Sequence, residues 1–308
     1  MQLTDVRERL RTVVAIPVTP FDDHGSVDEK TCAQLVTRIV SAGVEVLTPN
    51  GNTGEFYALS AGEAQRCVEV TVEHAGDALV MAGVGLDVAS AVGAARHARS
   101  AGAQLVMVHQ PVHPFQTDEG WVSYHREIAD AVPELGVVLY LRDPAVTAQR
   151  LGRLLAACPD VVAIKYAVPD PTGLAQMVRA AGDRPVVWLC GLAETWAPFF
   201  WPAGARGFTS GLVNVEPELS LAMLAHLRAG DQEAAMDLWW RLKPFEDLRA
   251  RDRSALNVSV VKEALAQRGL CSAAVRPPIS TLAQPDRETV RGTLRDWDAL
   301  LAALPGSR

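Results

Sequence analysis

Val161-Val162-Ala163-Ile164-Lys165-Tyr166 is an apolar run in which a lysine stands one residue from the end. Cys158-Pro159-Asp160 precedes the run and Pro169-Asp170-Pro171 follows it. This pattern predicts a buried parallel strand that is polar only at its carboxyl end. Burial disfavours the ammonium form and would lower the pKa of Lys165, which suits attack by the amine on a carbonyl at neutral pH. The alternative is a lysine that leaves the strand and extends its side chain to solvent.

Strand-like runs recur eight times at a spacing of about 25 to 30 residues, and helix-like segments rich in Ala, Leu, Arg and Glu lie between them. The predicted strands are Val13–Val18, Val44–Thr48, Leu79–Ala82, Gln104–His109, Gly136–Leu141, Val161–Lys165, Pro185–Cys190 and Arg206–Thr209. The predicted helices include Asp28–Ala42, Ala61–Ala75, Asp87–Ala101, Thr117–Ala131, Thr147–Ala157 and Pro171–Ala181. The alternation indicates repeated βα units and a parallel sheet.

Eight βα units in about 210 residues match the length of a (β/α)8 TIM barrel. A doubly wound open sheet is the alternative, but no G-x-G-x-x-G follows the first strand, where Ile16-Pro-Val-Thr-Pro-Phe21 stands instead. After Thr209 only helices are predicted, at Pro217–Ala229, Gln232–Arg251, Ser254–Gln267 and Arg287–Leu301. We therefore expect a barrel with the active site over residues 1–212 and a C-terminal α-helical extension over residues 213–308.

The chain has 308 residues, 49% of them hydrophobic, and a formal net charge of −7 with acids and bases interspersed. This charge pattern argues against a nucleic-acid partner. No apolar run is long enough for a membrane span, and the N-terminal stretch lacks a signal-peptide cleavage pattern, so we expect no membrane partner and a cytoplasmic location. Five cysteines without C-x-x-C or metal-finger spacing predict reduced thiols in the core.

Unusual residues follow the predicted second and fourth strands, where a barrel carries its chemistry. Pro49-Asn-Gly-Asn-Thr-Gly-Glu55 is a glycine-rich loop whose backbone N–H groups and Thr53 hydroxyl could hold a carboxylate, although a tight turn explains its glycines equally well. His109 and His113 suggest a metal, but Pro111 between them prevents a helix, so we expect no metal there. His113 lies beyond the strand and could move protons.

Two further strands place candidate residues near Lys165. Tyr140, near the end of the fifth strand, is expected at the height of Lys165 on the neighbouring strand, as a base beside a nucleophile. Period-two alternation puts Val161, Ala163 and Lys165 on one face, where the small Ala163 leaves space for a substrate. Gly191, after the seventh strand, permits close approach of a ligand to the backbone.

A set of motifs, in order and spacing over nearly the whole chain, resembles the dihydrodipicolinate synthase and N-acetylneuraminate lyase family. The motifs are Pro17-Val-Thr-Pro-Phe21, Gly51-Asn-Thr-Gly-Glu55, Tyr140, Ile164-Lys165, Gly191 and Arg276-Pro-Pro278. The resemblance implies a TIM barrel with a C-terminal helical extension, usually a tetramer of two tight dimers. It also implies a class I aldolase or related lyase that acts on 2-oxo acids.

Carried over by position, the resemblance implies that Lys165 forms a Schiff base with the 2-oxo group and that Tyr140 moves protons. Thr53, with neighbouring backbone amides of Gly51 and Asn52, would hold the carboxylate, and Gly191 would line the pocket. No metal or organic cofactor is implied, because the protonated imine itself withdraws electrons.

Three positions depart from the synthase pattern. Asn52 stands where the synthase has a threonine of its proton relay, and His113 stands where it has a tyrosine donated to the neighbouring subunit's site. Ala145 stands where the synthase has an arginine that binds its second substrate. These differences argue against an authentic dihydrodipicolinate synthase.

The segments Tyr140-Leu-Arg-Asp-Pro144 and Gly54-Glu55-Phe56 resemble the 5-dehydro-4-deoxyglucarate dehydratases instead. That subfamily nevertheless has a glycine where Asn52 stands and an aspartate where Tyr166 stands. Arg142 is then a candidate clamp for a distal carboxylate.

The sequence as a whole predicts a Schiff-base-forming lyase, either an aldolase or a dehydratase, for pyruvate or a 2-oxo-3-deoxy sugar acid, in a homotetramer or homodimer. The alternatives are an authentic dihydrodipicolinate synthase and a family member that binds a metabolite without turning it over.

Overall fold

Eight parallel strands close into a barrel in chain order, with the first strand paired to the eighth, in this computed structural model of residues 3–303. The strands are β1 Val13–Ala15, β2 Val46–Leu47, β3 Leu79–Val84, β4 Leu105–Val108, β5 Gly136–Leu141, β6 Val161–Tyr166, β7 Val187–Cys190 and β8 Gly207–Ser210. The helices of the barrel are α1 Leu3–Arg9, α2 Glu29–Ser41, α3 Ala61–His74, α4 Val88–Ala101, α5 Asp118–Asp130, α6 Ala148–Ala157, α7 Pro171–Ala181, α8 Ala193–Phe200 and α9 Pro217–Ala229. The predicted TIM barrel is therefore confirmed.

The first two strands are shorter than the sequence predicts. The run Val13–Val18 is a strand only as far as Ala15, and Val44–Thr48 is a strand only at Val46–Leu47. Proline at position 17 has no N–H to donate to a neighbouring strand, which ends the first ladder early. Helix α1 and helix α8 are not among the predicted helices. Gly43 and Gly102, just after α2 and α4, take the left-handed conformation with φ values of 98° and 100°.

The strand that carries the lysine contains a bulge. Val137 pairs with Val161, but the next residue, Val138, pairs with Ala163, so Val162 is an extra residue in β6. Val161 consequently packs in the layer between strands and helices, whereas Val162 and Ala163 belong to the barrel interior. The predicted placement of Val161 on the face of Lys165 is wrong, because one inserted residue reverses the alternation.

Three helices follow α9: α10 Gln232–Ser254, α11 Asn257–Gln267 and α12 Gln284–Ala303. The backbone of α10 leaves helical geometry at Arg251, Asp252 and Arg253, close to the predicted break between Arg251 and Ser254. Because α9 follows β8, it takes the place of the eighth barrel helix, and α10 to α12 form the extension. The predicted boundary between barrel and extension at residue 212 stays a prediction. Residues 1–2 of the predicted barrel range and residues 304–308 of the predicted extension range lie outside the described part of the chain. Among residues 3–303 no helix is both long and apolar enough to cross a bilayer.

A fully buried ion pair joins the loop after β2 to the extension. Nζ of Lys262 in α11 donates to Oε1 of Glu55 at 2.5 Å and to the carbonyl of Ala274 at 2.7 Å, and both side chains of the pair are 0% exposed. The backbone N–H of Arg276 donates to the other oxygen of Glu55 at 3.0 Å, and the Lys262 ammonium lies 4.0 Å from the centre of the Phe21 ring. A buried charge needs such partners, since an unpaired one is expensive.

Replacement of Lys262 by methionine should therefore destabilise the fold strongly. The change leaves the Glu55 carboxylate buried without its countercharge, so we expect Lys262→Met to lower the free energy of unfolding by about 3–5 kcal/mol. Urea titration of the folded protein measures this value.

The matched control is Lys243→Met, because Lys243 pairs with Asp247 at the surface, where the aspartate side chain is 54% exposed. A surface pair contributes about 1 kcal/mol or less. Equal losses in the two variants would contradict a structural role for the buried pair.

Candidate active site

The strand register places Lys165 beside Tyr140. The two residues are direct partners in the β5–β6 ladder, and Nζ of Lys165 lies 4.2 Å from the centre of the Tyr140 ring. Lys165 is only 4% exposed, so its side chain stays inside the barrel and does not reach solvent. Burial lowers the pKa of Lys165 to about 7, and the positive charge of Arg142 acts in the same direction, although Cys190 opposes it. About half of Lys165 is therefore the neutral, nucleophilic amine at pH 7, far more than for a lysine with an ordinary pKa.

The absence of a side chain at position 191 makes room for Lys165. A Cβ there would lie 2.8 Å from Cβ of Ala167 and 3.0 Å from Cγ of Lys165. The N–H of Gly191 donates to the carbonyl of Tyr166 at 2.7 Å, which holds the chain after β7 against the end of β6. Any larger residue would displace the lysine.

Asn52 reaches across the barrel mouth to Tyr140. Its Nδ2 donates to the Tyr140 hydroxyl oxygen at 3.0 Å. Since the phenol accepts this bond, its own proton is free to point toward the cavity. Burial raises the pKa of Tyr140, with Arg142 opposing, so the phenol is protonated at neutral pH. Asn52 thus orients the phenol but, having an amide in place of a hydroxyl, does not extend a chain of exchangeable hydroxyl groups.

The loop that carries Thr53 is a compact turn. The N–H of Gly54 donates to the carbonyl of Gly51 at 3.0 Å, and the N–H of Glu55 donates to the carbonyl of Asn52 at 3.1 Å. The N–H groups of Asn52 and Thr53 have no hydrogen-bond acceptor within residues 3–303. Consecutive free N–H groups of a turn form an anion-binding concavity, which suits a carboxylate.

A cavity of about 400 Å³ at the carboxyl ends of the strands collects six of the eight predicted site residues. These six are Lys165, Tyr140, Thr53, Asn52, Gly191 and Arg142. Gly51 lies behind the cavity wall, where a Cβ would press against the Ile16 side chain at 2.5 Å.

The structure places His113 away from this cavity. It is exposed, and its Nδ1 accepts from the N–H of Phe115 at 3.2 Å, within its own loop. His109 is buried, stacked on Phe56 with ring centres 4.2 Å apart, and burial lowers its pKa to about 3. It is a neutral packing residue whose ring centre lies 5.8 Å from that of Tyr140.

Nowhere in residues 3–303 do three or more His, Cys, Asp or Glu side chains gather in an arrangement that could hold a metal.

Sequence reasoning missed the residues that the extension adds to the cavity. Arg249 and Arg253 of α10 and Asn257 of α11 line it together with Glu246. One signal was available, because Glu246 and Arg249 continue the i, i+3, i+4, i+7 stripe of buried residues that begins at Leu242. Charged residues on the core face of a helix indicate a buried polar site.

Known proteins match this chain over most of its length. The sequence profile of the Dihydrodipicolinate synthetase family matches residues 9–296. A probable 5-dehydro-4-deoxyglucarate dehydratase of Rhizobium rhizogenes is 29% identical over 277 residues, which are 88% of this chain and 90% of the relative. The crystal structure of dihydrodipicolinate synthase from Oceanobacillus iheyensis superimposes with a TM-score of 0.93 at 40% identity, over 97% of this chain and 100% of that one.

A third similar structure is that of a prophage protein of the dihydrodipicolinic acid synthase family from E. coli K12, in complex with pyruvate. It superimposes with a TM-score of 0.84 at 26% identity, over 93% of this chain and 97% of that one. The named relatives are a dehydratase and a synthase, both lyases. With the barrel and the match to residues 9–296, they confirm that the chain belongs to the dihydrodipicolinate synthetase family and is a lyase.

Proposed function

We propose that this protein is a Schiff-base-forming lyase of 2-oxo acids that acts through Lys165 and needs no cofactor. The observation that carries the proposal is the buried amine of Lys165, with its pKa lowered to about 7, beside the Tyr140 phenol in one cavity. The similarity to a family member in complex with pyruvate supports the same class of substrate.

The proposed reaction begins when the neutral Lys165 amine attacks the 2-oxo carbon. Proton transfers through the Tyr140 phenol convert the carbinolamine to a protonated imine and release one water. The protonated imine then accepts the electron pair of a C–H or C–C bond at the neighbouring carbon, which releases a proton or a carbon fragment and leaves an enamine. In an aldol cleavage the enamine is reprotonated at that carbon. In a dehydration the enamine returns its electron pair and expels the hydroxyl one carbon further, which takes up a proton and leaves as water. Hydrolysis of the imine returns the Lys165 amine and the product.

The substrate's 1-carboxylate is assigned to the turn of Thr53 and the free N–H groups of Asn52 and Thr53. Arg142 is exposed and lines the cavity after β5, so it is available to a second polar or charged group of a longer substrate. Both aldol cleavage and dehydration fit this arrangement. Condensation with an aldehyde of the synthase kind fits less well, since Ala145 offers no cation where the synthase has an arginine.

The partners proposed from the sequence remain part of this proposal. We propose a small-molecule 2-oxo acid as substrate, no nucleic acid or membrane partner, a cytoplasmic location, and a homotetramer or homodimer. Val112 and Phe115 are 55% and 84% exposed in the loop of His113, and two large apolar side chains exposed in one loop support self-association.

Borohydride trapping tests the proposal directly. The protein is incubated with pyruvate or with 2-oxo-3-deoxy sugar acids and reduced, and the intact mass and the modified peptide are measured. We expect one adduct per chain, at Lys165, that is lost in Lys165→Ala. If a folded protein yields no adduct with any 2-oxo acid, the family member is a binding protein without this chemistry.

The rate of imine formation should depend on pH through the Lys165 amine. Because burial lowers the pKa of Lys165 to about 7 and only the neutral amine attacks, the rate should fall about tenfold per pH unit below 7 and level off above it. Rapid-quench trapping with pyruvate between pH 5.5 and 10 gives this profile. A rate that still rises tenfold per unit up to pH 10 would mean that the lysine keeps an ordinary pKa.

The side chain of Asn52 should act only through Tyr140. Deuterium exchange into the methyl group of pyruvate in D2O, followed by NMR, reports proton transfer without knowledge of the natural substrate. We expect Tyr140→Phe to slow exchange by about 10²–10⁴-fold, and Asn52→Ala by about 2- to 10-fold, because it removes one neutral hydrogen bond.

The double variant separates this role from a general one. If Asn52 only orients the phenol, the Asn52→Ala change has no further effect once Tyr140 is phenylalanine. Asn52→Thr, which places a hydroxyl at this position, should exchange deuterium faster than Asn52→Ala. A full additional loss in the double variant would show that Asn52 acts elsewhere.

A further inference from the structure

We infer that Arg249 of α10 forms an anion-binding subsite in the active-site cavity and that the natural substrate carries a second anionic group there, as a 2-oxo dicarboxylic acid does. This inference rests on the proposed function and adds to it the class of substrate. The second anionic group would sit where the helical extension meets the barrel.

The contacts of Arg249 hold its guanidinium in one orientation. Nε and Nη2 donate to Oδ1 of Asn257 at 3.0 and 2.7 Å, and Nη1 donates to Oε1 of Glu246 at 2.5 Å. Three of its five N–H groups are thereby used, which leaves one on Nη1 and one on Nη2. Arg249 is only 6% exposed and lines the cavity, so the two N–H groups that no atom of residues 3–303 accepts are available to a group bound there.

The position of Arg249 is fixed on the wall formed by β8 and the loop after β2. Nη2 lies so close to Gly211 that any Cβ at that residue would clash with it, and the same Cβ would be 3.2 Å from Cγ2 of Thr53. Arg142, by contrast, follows β5, three strands away around the barrel. The cavity therefore has Arg249 on the wall near β8 and Arg142 on the wall near β5. Lys165 of β6 is nearer to the wall of Arg142, because β6 is the neighbour of β5.

The charge of the cavity favours an anion in addition to the 1-carboxylate. Among residues 3–303 its lining includes three arginines, Arg142, Arg249 and Arg253, and one carboxylate, that of Glu246. The protonated imine of Lys165 would add a further positive charge. A second carboxylate on the substrate would offset more of this positive charge than the single carboxylate of pyruvate does, and it would use the fork of Arg249.

The test compares three 2-oxo acids by the concentration that gives half-maximal borohydride trapping of Lys165. Pyruvate is the short monoacid, 2-oxohexanoate is a neutral-ended chain, and 2-oxoadipate has the same chain length with a terminal carboxylate. For the unmodified protein we expect trapping of 2-oxoadipate at a concentration at least about tenfold lower than that for 2-oxohexanoate.

Arg249→Gln should raise the half-maximal concentration for 2-oxoadipate by about tenfold or more and change that for pyruvate less than about twofold. The matched control is Arg150→Gln. Arg150 is equally buried at 6%, but it belongs to α6 and contacts Trp121 and Asp118 away from the cavity. This control should leave all three concentrations unchanged, and urea titration of both variants reports any loss of folding.

The outcomes separate the two proposals. If the unmodified protein traps no 2-oxo acid, the proposed function is overturned and the inference with it. If it traps pyruvate but shows no preference for 2-oxoadipate over 2-oxohexanoate, only the subsite is overturned, and this result does not depend on the folding of any variant. An equal loss for pyruvate and 2-oxoadipate in Arg249→Gln also overturns it, because Arg249 would then bind the 1-carboxylate.

Discussion

The buried pair of Glu55 and Lys262 is the constraint on which the site depends. It joins residues 207 positions apart, one in the turn that carries Asn52 and Thr53 and the other in the helical extension. Each charge has further polar partners, the carbonyl of Ala274 for the ammonium and the N–H of Arg276 for the carboxylate. Because neither charge is tolerable without the other, the turn holds its shape only when the extension is docked, and the barrel alone cannot define the cavity.

A second constraint comes from the lysine inside the barrel. Desolvation is unfavourable for the ammonium form of Lys165, and no carboxylate of residues 3–303 forms an ion pair with it, so its pKa falls to about 7. The bulge at Val162 and the missing side chain at Gly191 give this residue its orientation and its space. The nucleophilicity of Lys165 and the energetic cost of burying it therefore have one cause, the placement of an amine in an apolar interior. The rest of the fold offsets that cost.

The sequence predicted the barrel and most of the cavity because both depend on local signals. Eight apolar runs with regular spacing define the strands, and the residues after each run fall at one rim, which brought Thr53, Tyr140 and Lys165 together correctly. The bulge at Val162 was not predictable, since an inserted residue leaves no mark in an all-apolar strand. Arg249 was missed for a different reason. The spacing within α10 places Arg249 on a buried face, but its contacts with Gly211 after β8 and with Asn257 of α11 join distant parts of the chain, which no local pattern reveals.

The division of labour between barrel and extension follows from these contacts. The groups proposed to make and break bonds, Lys165 and Tyr140, lie on adjacent strands whose hydrogen bonds fix their separation. The group inferred to bind the substrate tail, Arg249, lies on a helix outside the barrel sheet and is held by Asn257 of α11, so it can change without disturbing a strand ladder. A dehydratase and a synthase both appear among the similar proteins. Strands that carry the lysine and a helical wall that carries the contact for the substrate tail would let one barrel serve several substrates, because fold alone does not determine which molecule enters.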